Sequence, residues 1–220
     1  MAEYDRERVA RLFDDIACAK SIGDQDTEVP GQGIPQLTGQ IALQTLNPGT
    51  EDVLLDVGTG TGETAIVAAG LCRKVIGIDV SRKSLQQARL NADREGLGNV
   101  VFAYGAFEDP CAELDLTSHG ITRILAVYSL HHLPDRMKTD SLLTLSELLR
   151  RPGRIVIGDI MFFDDPDKHR ERFDEAGYDA GDTDFPASAG YLTGCLERMG
   201  AGVRIERIHP LVGIVTADFV

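Results

Sequence analysis

The sequence lacks the features of a membrane-spanning or secreted protein. No apolar run reaches the roughly 18 residues that a bilayer-spanning helix needs. The opening residues, M-A-E-Y-D-R-E-R, carry charges where a signal peptide has its apolar core. Cys18, Cys72, Cys111 and Cys195 lie far apart and form no C-x-x-C pair, which favours reduced structural thiols over a metal or redox site. We therefore expect a cytoplasmic protein without a bound metal.

Basic residues are also scarce. The chain has 22 Lys and Arg against 35 Asp and Glu, which gives a net charge of -13. An acidic chain gains little from counterion release on a phosphate backbone, so nucleic acids and anionic membranes are disfavoured as partners. The length of 220 residues suits one medium-sized domain with a sizeable core. Composition leaves the oligomeric state open.

One glycine-rich stretch, V-L-L-D-V-G-T-G-T-G-E-T at 53–64, predicts a buried strand, a tight turn and the first turn of a helix. Gly58, Gly60 and Gly62 remove three Cβ atoms, so the backbone of the turn can adopt positive φ and approach a ligand closely. The helix amides would then face that ligand.

Two carboxylates, Asp56 and Glu63, flank this turn and bear on the choice of ligand. A dinucleotide site has the spacing G-x-G-x-x-G, and Glu63 occupies the place of its third glycine. Carboxylates here repel a pyrophosphate and suit a ligand with an ammonium and a sulfonium, such as S-adenosylmethionine. A nicotinamide oxidoreductase is a distant alternative.

Apolar periodicity predicts an alternation of strands and helices from residue 52 onward. The predicted strands are 52–57, 74–79, 99–104, 121–128, 154–160, 203–208 and 211–219, and the predicted helices are 6–17, 36–46, 63–71, 82–95, 135–150 and 188–199. The alternation predicts a Rossmann-like, doubly wound parallel sheet with helices on both faces. The last two strands have no helix between them, so the seven-stranded sheet should end in an antiparallel β-hairpin.

Two segments lie outside this alternation within the single expected domain, 1–220. Residues 1–46, with a predicted loop at 21–35, form either a lid over the ligand or a layer packed on the side of the core at 47–220. Within 161–190, residues 164–184 hold nine carboxylates and three Lys or Arg. This acidic segment is either a cap over the ligand-binding edge of the sheet or a solvated surface loop.

The order of elements and the motifs within residues 40–220 resemble the class I S-adenosylmethionine-dependent methyltransferases. The family's first motif is an acidic residue followed by G-x-G-x-G, which corresponds to Asp56 to Gly62. Its second is an acidic residue ending the second strand, here Asp79 in V-I-G-I-D-V-S. L-L-R-R-P-G-R-I-V-I-G-D is similar to the turn into the fifth strand.

The segment S-L-H-H-L-P-D at 129–135 resembles the fourth-strand motif of the small-molecule "type 11" group. Nucleobase and glutamine N-methyltransferases carry N-P-P-Y at that place, and no such tetrapeptide occurs here. The resemblance implies in-line methyl transfer from S-adenosylmethionine to a small-molecule acceptor, with S-adenosylhomocysteine as the product.

The resemblance also implies a set of cofactor-binding residues around the first four strands. They are Asp56, Gly58, Thr59, Gly60, Asp79, Val80, Ala106, Phe107 and Ala126. The carboxylate of Asp79 would reach both ribose hydroxyls. Structural alternatives exist for both acidic residues, because Asp56 can cap the glycine turn and Asp79 can cap the next helix, although Ser81 is also available there.

Two departures from the family pattern bear on cofactor binding. Ala106 replaces an Asp that accepts from the adenine amino group, which leaves adenine recognition to the amide and ring of Phe107 or to Glu108. The N-terminal L-F-D-D-I-A is followed by Lys20-Ser21 where the family has Tyr-Asp. These departures motivate an alternative function, a catalytically silent S-adenosylmethionine-binding subunit or sensor.

The candidate catalytic residues are His131 and Tyr128, with His132 as the alternative histidine. A neutral imidazole with its ordinary pKa of about 6.5 can take a proton from an amine, thiol or hydroxyl nucleophile. The competing interpretation is that the histidines hydrogen-bond within the fold, and that Tyr128 only closes the strand. Because a sulfonium is already activated, alignment of the reactants suffices and no triad or metal cluster is required.

Overall fold

A computed structural model describes residues 4–23, 33–181 and 183–220. These residues form one seven-stranded sheet in the order β3-β2-β1-β4-β5-β7-β6. The strands are β1 (Val53–Val57), β2 (Lys74–Asp79), β3 (Val100–Tyr104), β4 (Arg123–Val127), β5 (Gly153–Ile160), β6 (Gly202–His209) and β7 (Val212–Phe219). The α-helices are α1 (Arg6–Gly23), α2 (Ile34–Leu46), α3 (Glu63–Ala69), α4 (Arg82–Arg94), α5 (Asp135–Leu148), α6 (Phe173–Ala176) and α7 (Ala189–Arg198). Short 3-10 helices lie at Thr117–His119, Leu130–His132 and Pro166–Arg172.

The sheet has the predicted topology. Strands β1 to β5 pair in parallel, and β7 pairs antiparallel with both β5 and β6. The Rossmann-like fold with a terminal antiparallel hairpin is therefore confirmed. The chain reverses its direction of winding between β1 and β4, which are neighbours in the sheet. In doubly wound sheets, ligands bind in the crevice at the carboxyl ends of such a pair of strands.

The core consists of two apolar layers separated by the sheet. Every residue of β1 is buried, as expected for a parallel strand covered on both faces. Leu55 belongs to the layer that includes α5 and α7, whereas Leu54 belongs to the layer formed by α2, α3 and α4. The N-cap of α4 is Ser81, whose hydroxyl accepts from the amide of Ser84, as its position in the sequence predicts.

The predicted loop at 21–35 is wrong at both ends. Helix α1 continues to Gly23, which is its first glycine, because no breaker interrupts the preceding residues. Helix α2 begins at Ile34, and Pro35 occupies its first turn, where a missing amide proton costs nothing. The rest of that predicted loop lies outside the described residues, as do the side chains of Lys20 and Ser21.

The strand predicted at 121–128 is shorter than expected. Strand β4 ends at Val127, and Tyr128 has a left-handed backbone with φ of 49°. Tyr128 therefore leaves the strand as a turn residue, and its side chain is redirected at the carboxyl edge of the sheet. Left-handed backbone is uncommon for residues other than glycine, and it is concentrated at functional sites.

The acidic segment packs beside the carboxyl ends of β4 and β5. Phe173 and Tyr178 lie against an apolar cluster that includes Ile160 and Leu211, and Tyr128 joins the same cluster. Some of its carboxylates are paired within the segment, as in the contact of 2.8 Å between Arg172 and Glu175. No helix among the described residues has both the length and the apolarity needed to cross a membrane.

Candidate functional site

A cavity lies at the carboxyl ends of β1, β2 and β4, at the reversal of the winding direction. Its walls come from α1, the glycine turn, the end of β2, the segment after β3 and the segment after β4. The lining residues are Tyr4, Val9, Phe13, Val57, Gly58, Gly60, Asp79, Val80, Gly105, Ala106, Phe107, Glu108, Tyr128, Ser129, His132 and Leu133. The cavity therefore contains most of the sites that the sequence predicts.

The glycine turn folds tightly over the end of β2. The amides of Gly58 and Thr59 both donate to the carbonyl of Ile78, at 2.9 and 3.0 Å. Gly58 has a φ of 75°, and a Cβ on it would lie 2.3 Å from the Cβ of Ser129. Only glycine fits this position, because a side chain would be both strained and blocked. The absent side chain lets Ser129 pack against the turn, and the backbone of Gly58 lines the cavity.

Asp56 lies behind this turn and does not line the cavity. Its carboxylate is 2% exposed and accepts a hydrogen bond of 2.7 Å from the hydroxyl of Thr59. Burial raises the pKa of Asp56 to about 6, which the Thr59 bond partly offsets. The geometry matches the structural alternative for Asp56, a cap of the glycine turn. Thr59 and Ala126, two other predicted cofactor contacts, also lie outside the cavity lining.

Asp79 faces the cavity and also braces the turn. One carboxylate oxygen accepts from the amide of Gly60 at 2.8 Å, and the other accepts from the amide of Ser81 at 2.8 Å. Burial raises the pKa of Asp79, against the lowering effect of these amides. Since Ser81 caps α4 itself, Asp79 is not needed for that purpose. Its remaining lone pairs are available to a ligand hydroxyl.

The segment after β3 brings a second carboxylate to the cavity. The amide of Ala106 donates to the carbonyl of Asp109 in a tight turn. Glu108 accepts from the hydroxyl of Tyr4 at 3.1 Å and from Nε of Arg6 at 2.6 Å, both through Oε1. Its other oxygen is buried and has no partner among the described residues. Because Glu108 lines the cavity, this oxygen is a candidate acceptor for a ligand donor group.

Helix α1 forms one wall of the cavity. Val9 and Phe13 line the cavity from this helix, and the ring of Phe13 meets the edge of His132 at 5.1 Å between centroids. Asp14 fixes the helix to the start of α4 by accepting from the hydroxyl of Ser81 at 2.6 Å and from the amide of Lys83 at 3.3 Å. These contacts favour the lid interpretation over packing on the side of the domain.

His131 is held beneath the cavity by a residue that the sequence analysis missed. Its Nδ1 lies 2.5 Å from Oδ1 of Asp159, which also accepts from the amide of Ile160. Oδ2 of Asp159 accepts from the amides of Leu130 and His131. Burial raises the pKa of Asp159, but His131, the amide of Ile160 and the nearby His132 outweigh this effect, so the net pKa is lowered. In the sequence, the one sign of a special role for Asp159 is its position as a single charged residue within the apolar run of β5. His131 is 5% exposed and does not line the cavity.

His132 lines the cavity instead. Its Nδ1 lies 3.0 Å from the carbonyl oxygen of Thr183 and 3.3 Å from a carboxylate oxygen of Asp184. Burial lowers the pKa of His132, but the bonds to Asp184 and Thr183 outweigh it, so the net pKa is raised. No pattern in the sequence singles out Asp184, which reaches the histidines from the acidic segment.

Tyr128 also faces the cavity, and its ring meets His131 edge-on at 6.1 Å. Its hydroxyl is buried beside the side chain of Thr38 and makes no well-formed hydrogen bond in the part of the chain that the structure describes. Burial raises the pKa of Tyr128, so the side chain remains a neutral phenol that can donate to a ligand.

The fold and this cavity define a doubly wound domain with a nucleoside-type site at the reversal of strand order. Residues 49–182 match the family model described as a methyltransferase domain, which is more than half of the chain. The chain therefore belongs to this methyltransferase family. The resemblance to class I S-adenosylmethionine-dependent methyltransferases, an enzyme family, is confirmed.

The relatives are methyltransferases whose names point to different substrates or to none. The uncharacterized methyltransferase YcgJ of Bacillus subtilis is 26% identical over 126 residues, which are 57% of this chain and 47% of that protein. Demethylmenaquinone methyltransferase of Bacteroides fragilis is 28% identical over 154 residues, which are 69% of this chain and 59% of the relative. The chain thus spans about half to three fifths of the length of these relatives. Some other relatives are named RNA methyltransferases.

Solved structures support the fold. Geranyl diphosphate C-methyltransferase from Streptomyces coelicolor, crystallised with Mg²⁺, geranyl diphosphate and S-adenosylhomocysteine, superposes with a TM-score of 0.74 at 13% identity. The match covers 98% of this chain and 97% of that one. At this identity the likeness concerns the fold alone.

Proposed function

We propose that this protein transfers the methyl group of S-adenosylmethionine to a small-molecule acceptor and releases S-adenosylhomocysteine. The observation that carries the proposal is the pairing of Asp79 with the glycine turn beside one cavity. Gly60 leaves open space beside the cavity, and Asp79 offers a carboxylate at the same edge. A cytoplasmic location agrees with the scattered cysteines and is proposed on that ground.

The residues around the cavity fit this cofactor. Asp79 would hold the ribose hydroxyls, Gly58 and Gly60 would approach the amino-acid part, and Val80, Ala106 and Phe107 would surround the adenine. The unpartnered oxygen of Glu108 would accept from the adenine amino group in place of the Asp that Ala106 replaces. Asp56 and Thr59 would act indirectly, by holding the turn, and Ala126 by filling the core beneath it.

The acceptor is proposed to be small because the cavity is narrow. Val9 and Phe13 of α1 form one wall, and Leu133 and Tyr128 form another. The mainly apolar walls suit a neutral acceptor with a single polar group. The net charge of -13 further disfavours RNA, although some relatives are named for it.

Catalysis in this site depends chiefly on positioning. When bound, S-adenosylmethionine supplies an activated methyl group on a sulfonium. Tyr128 can donate a hydrogen bond to the acceptor, and α1 excludes water from the cavity. His132, which lines the cavity, is better placed than His131 to receive a proton, whereas His131 with Asp159 positions it from below. The bonds to Asp184 and Thr183 raise the pKa of His132, so a substrate that displaces Asp184 would lower this pKa.

Calorimetry with S-adenosylhomocysteine tests the cofactor site. The wild-type protein should bind one equivalent, and Asp79→Ala should weaken binding at least about tenfold because a charge-assisted bond to the ribose is lost. Asp93→Ala, an exposed change on α4, is the matched control and should bind as the wild type does. Equal binding by wild type and Asp79→Ala would overturn the site.

A methylation assay tests the reaction itself. Protein incubated with labelled S-adenosylmethionine and a metabolite extract should yield labelled small molecules, whereas labelled RNA would assign the acceptor to the other class. Tight cofactor binding without transfer to either pool would instead support a silent cofactor-binding subunit.

A further inference from the structure

Three potential metal ligands meet at the wall of the cavity, although they are far apart in the sequence. We propose that His131, His132 and Asp184 form a binding site for one divalent transition metal ion, with Zn²⁺ as the best match. The site goes beyond the proposed methyl transfer, which requires no metal. It also departs from the sequence-based expectation that no metal is bound.

The ligand atoms are close enough to share one ion. Nδ1 of His132 lies 3.3 Å from a carboxylate oxygen of Asp184, and Nε2 of His131 lies 3.9 Å from the same oxygen. One ligand atom from each residue lies within 4.8 Å of the other two. Tetrahedral zinc with bonds of about 2.0–2.1 Å places its ligands roughly 3.3 Å apart. One of the three pairs already has this spacing, and the other two would close by small side-chain rotations.

The orientation of His131 is that of a metal ligand with its supporting carboxylate. Nδ1 is bound to Asp159 at 2.5 Å, so Nε2 is the free nitrogen, and it points towards Asp184. In metal sites, a ligating histidine commonly donates its other ring nitrogen to a carboxylate in this way. An unprotonated Nε2 facing a carboxylate would be repelled by it, and a cation between the two atoms removes that conflict.

Asp184 is held in place by its neighbours. The amide of Phe185 donates to the carbonyl of His131 at 2.7 Å, and the buried ammonium of Lys138 donates to the carbonyl of Phe185. The side chains of His131 and Asp184 are each 5% exposed. The ligand set is therefore largely preorganised and shielded from water, which favours tight binding.

The nature of the ligands favours Zn²⁺, Co²⁺ or Ni²⁺ over Mg²⁺ or Ca²⁺. Two imidazole nitrogens and one carboxylate oxygen are typical of zinc sites, whereas Mg²⁺ and Ca²⁺ prefer oxygen ligands alone. Three protein ligands leave a fourth position for water or substrate. Of the three ligands only His132 lines the cavity, so the ion would lie in the wall of the cavity, behind His132.

A metal-free alternative uses the same residues. Nδ1 of His132 lies 3.0 Å from the carbonyl oxygen of Thr183 and can donate its proton there. In that case His132 and Asp184 only fasten the acidic segment to the cavity wall. Metal binding replaces this proton, so the two arrangements exclude each other and can be separated by experiment.

The test uses the full chain, stripped with a chelator and titrated with Zn²⁺ by calorimetry. One equivalent should bind, and Asp184→Asn and His131→Gln should each weaken affinity by more than the roughly 10–100-fold loss typical of an outer-shell change. His169→Gln is the matched control, because His169 also pairs with a carboxylate, Asp164, at 2.7 Å but outside this cluster. It should bind zinc as the wild type does.

X-ray absorption of the zinc-loaded wild type gives a second measurement that needs no variant. Two imidazole ligands with oxygen ligands are expected. The proposal is overturned by the absence of stoichiometric binding, by equal affinity in the site variants, or by a spectrum without imidazole. Binding of S-adenosylhomocysteine is measured in parallel on the chelated protein, so failure of the metal site is distinguishable from failure of the cofactor site.

Discussion

Gly58 and Ser129 meet across the floor of the cavity, where β1 and β4 end side by side. A Cβ on Gly58 would lie 2.3 Å from the Cβ and 2.7 Å from the hydroxyl oxygen of Ser129. That hydroxyl donates to the carbonyl of Val57 at 3.0 Å and so closes the gap between the strands. The close approach makes the glycine turn dependent on a residue more than seventy positions away.

Gly58→Ala should therefore be far more damaging than Gly60→Ala. Both residues have positive φ, but a Cβ on Gly60 meets nothing within 4 Å. We expect Gly60→Ala to cost about 1–2 kcal/mol from backbone strain, and Gly58→Ala to cost about 1–3 kcal/mol more because of the clash. Urea unfolding measures both. Ser129→Gly in the Gly58→Ala background should recover part of the loss, and no recovery would show that strain alone is responsible.

Asp56 should make stability fall as the pH rises. Burial raises its pKa to about 6 in the folded state, well above the ordinary value of 3.8. The folded protein then binds more protons than the unfolded chain between these values, so stability is lost as the pH rises from about 4 to about 6. Asp56→Asn removes this dependence while its amide oxygen can still accept from Thr59. The variant should gain up to about 3 kcal/mol relative to wild type on going from pH 4 to pH 7.

Unfolding of both proteins in urea at the two pH values measures this gain. Asp79 raises the pKa of Asp56 further and is present in both proteins, so its own titration largely cancels. Asp140→Asn, an exposed change on α5, is the control and should parallel the wild type. A constant difference between Asp56→Asn and wild type across this range would show that Asp56 is not the responsible group.

The fold was predictable because short-range patterns in the sequence determine the order and type of its strands and helices. The alternation of strands and helices predicts the parallel sheet, and the absence of a helix between the last two strands predicts the hairpin. The position of Ser81 alone predicts that it caps a helix. The resemblance placed Asp79 and the glycine turn at one site, although it did not indicate the hydrogen bond to Gly60.

The rest of the site could not be predicted, because it depends on contacts between distant segments. Asp184 comes from an acidic stretch that resembles a solvated loop, and only tertiary packing brings it to His132. Asp159 is a single polar residue in an apolar strand. This position indicates that Asp159 is buried, but it does not indicate that His131 is its partner. Asp56 was assigned to the ligand because a carboxylate beside a glycine turn gives no indication of which way it points.

Helix α1 should loosen when its link to α4 is removed. Asp14→Ala deletes the acceptor of two hydrogen bonds, from the hydroxyl of Ser81 and the amide of Lys83. Since bonds to a charged group contribute about 1.5–3 kcal/mol, the amides of α1 should exchange with solvent at least roughly tenfold faster. Hydrogen exchange monitored by mass spectrometry measures this. Asp15→Ala, the exposed neighbour, should leave exchange unchanged.

The same hydrogen-exchange experiment also tests whether α1 acts as a lid. S-adenosylhomocysteine should slow exchange of α1 in the wild type, because the helix covers the cavity. Equal exchange of α1 with and without this ligand, in a protein that binds it, would contradict the lid interpretation and leave simple packing.

Lys138 should be one of the most sensitive positions in the chain, although it occupies a helix and carries a charge. Its side chain is 1% exposed, and its ammonium donates to the carbonyls of Leu133 and Phe185 as well as to Asp135 at 3.1 Å. Burial lowers the pKa of Lys138 despite the nearby carboxylate of Asp135. The ammonium is thus the donor that joins α5 to the segment carrying Asp184.

Lys138→Met keeps the length of the side chain and leaves both carbonyls without their donor. We expect a loss of about 2–4 kcal/mol in the free energy of unfolding, since each unsatisfied buried group costs about 1–3 kcal/mol. Lys168→Met, an exposed change in the acidic segment, should stay within about 0.5 kcal/mol. Exchange of the Phe185 amide should also accelerate in Lys138→Met only, because its segment loses its attachment to α5. A loss below about 1 kcal/mol, with the Phe185 amide still protected, would mean that water replaces the ammonium.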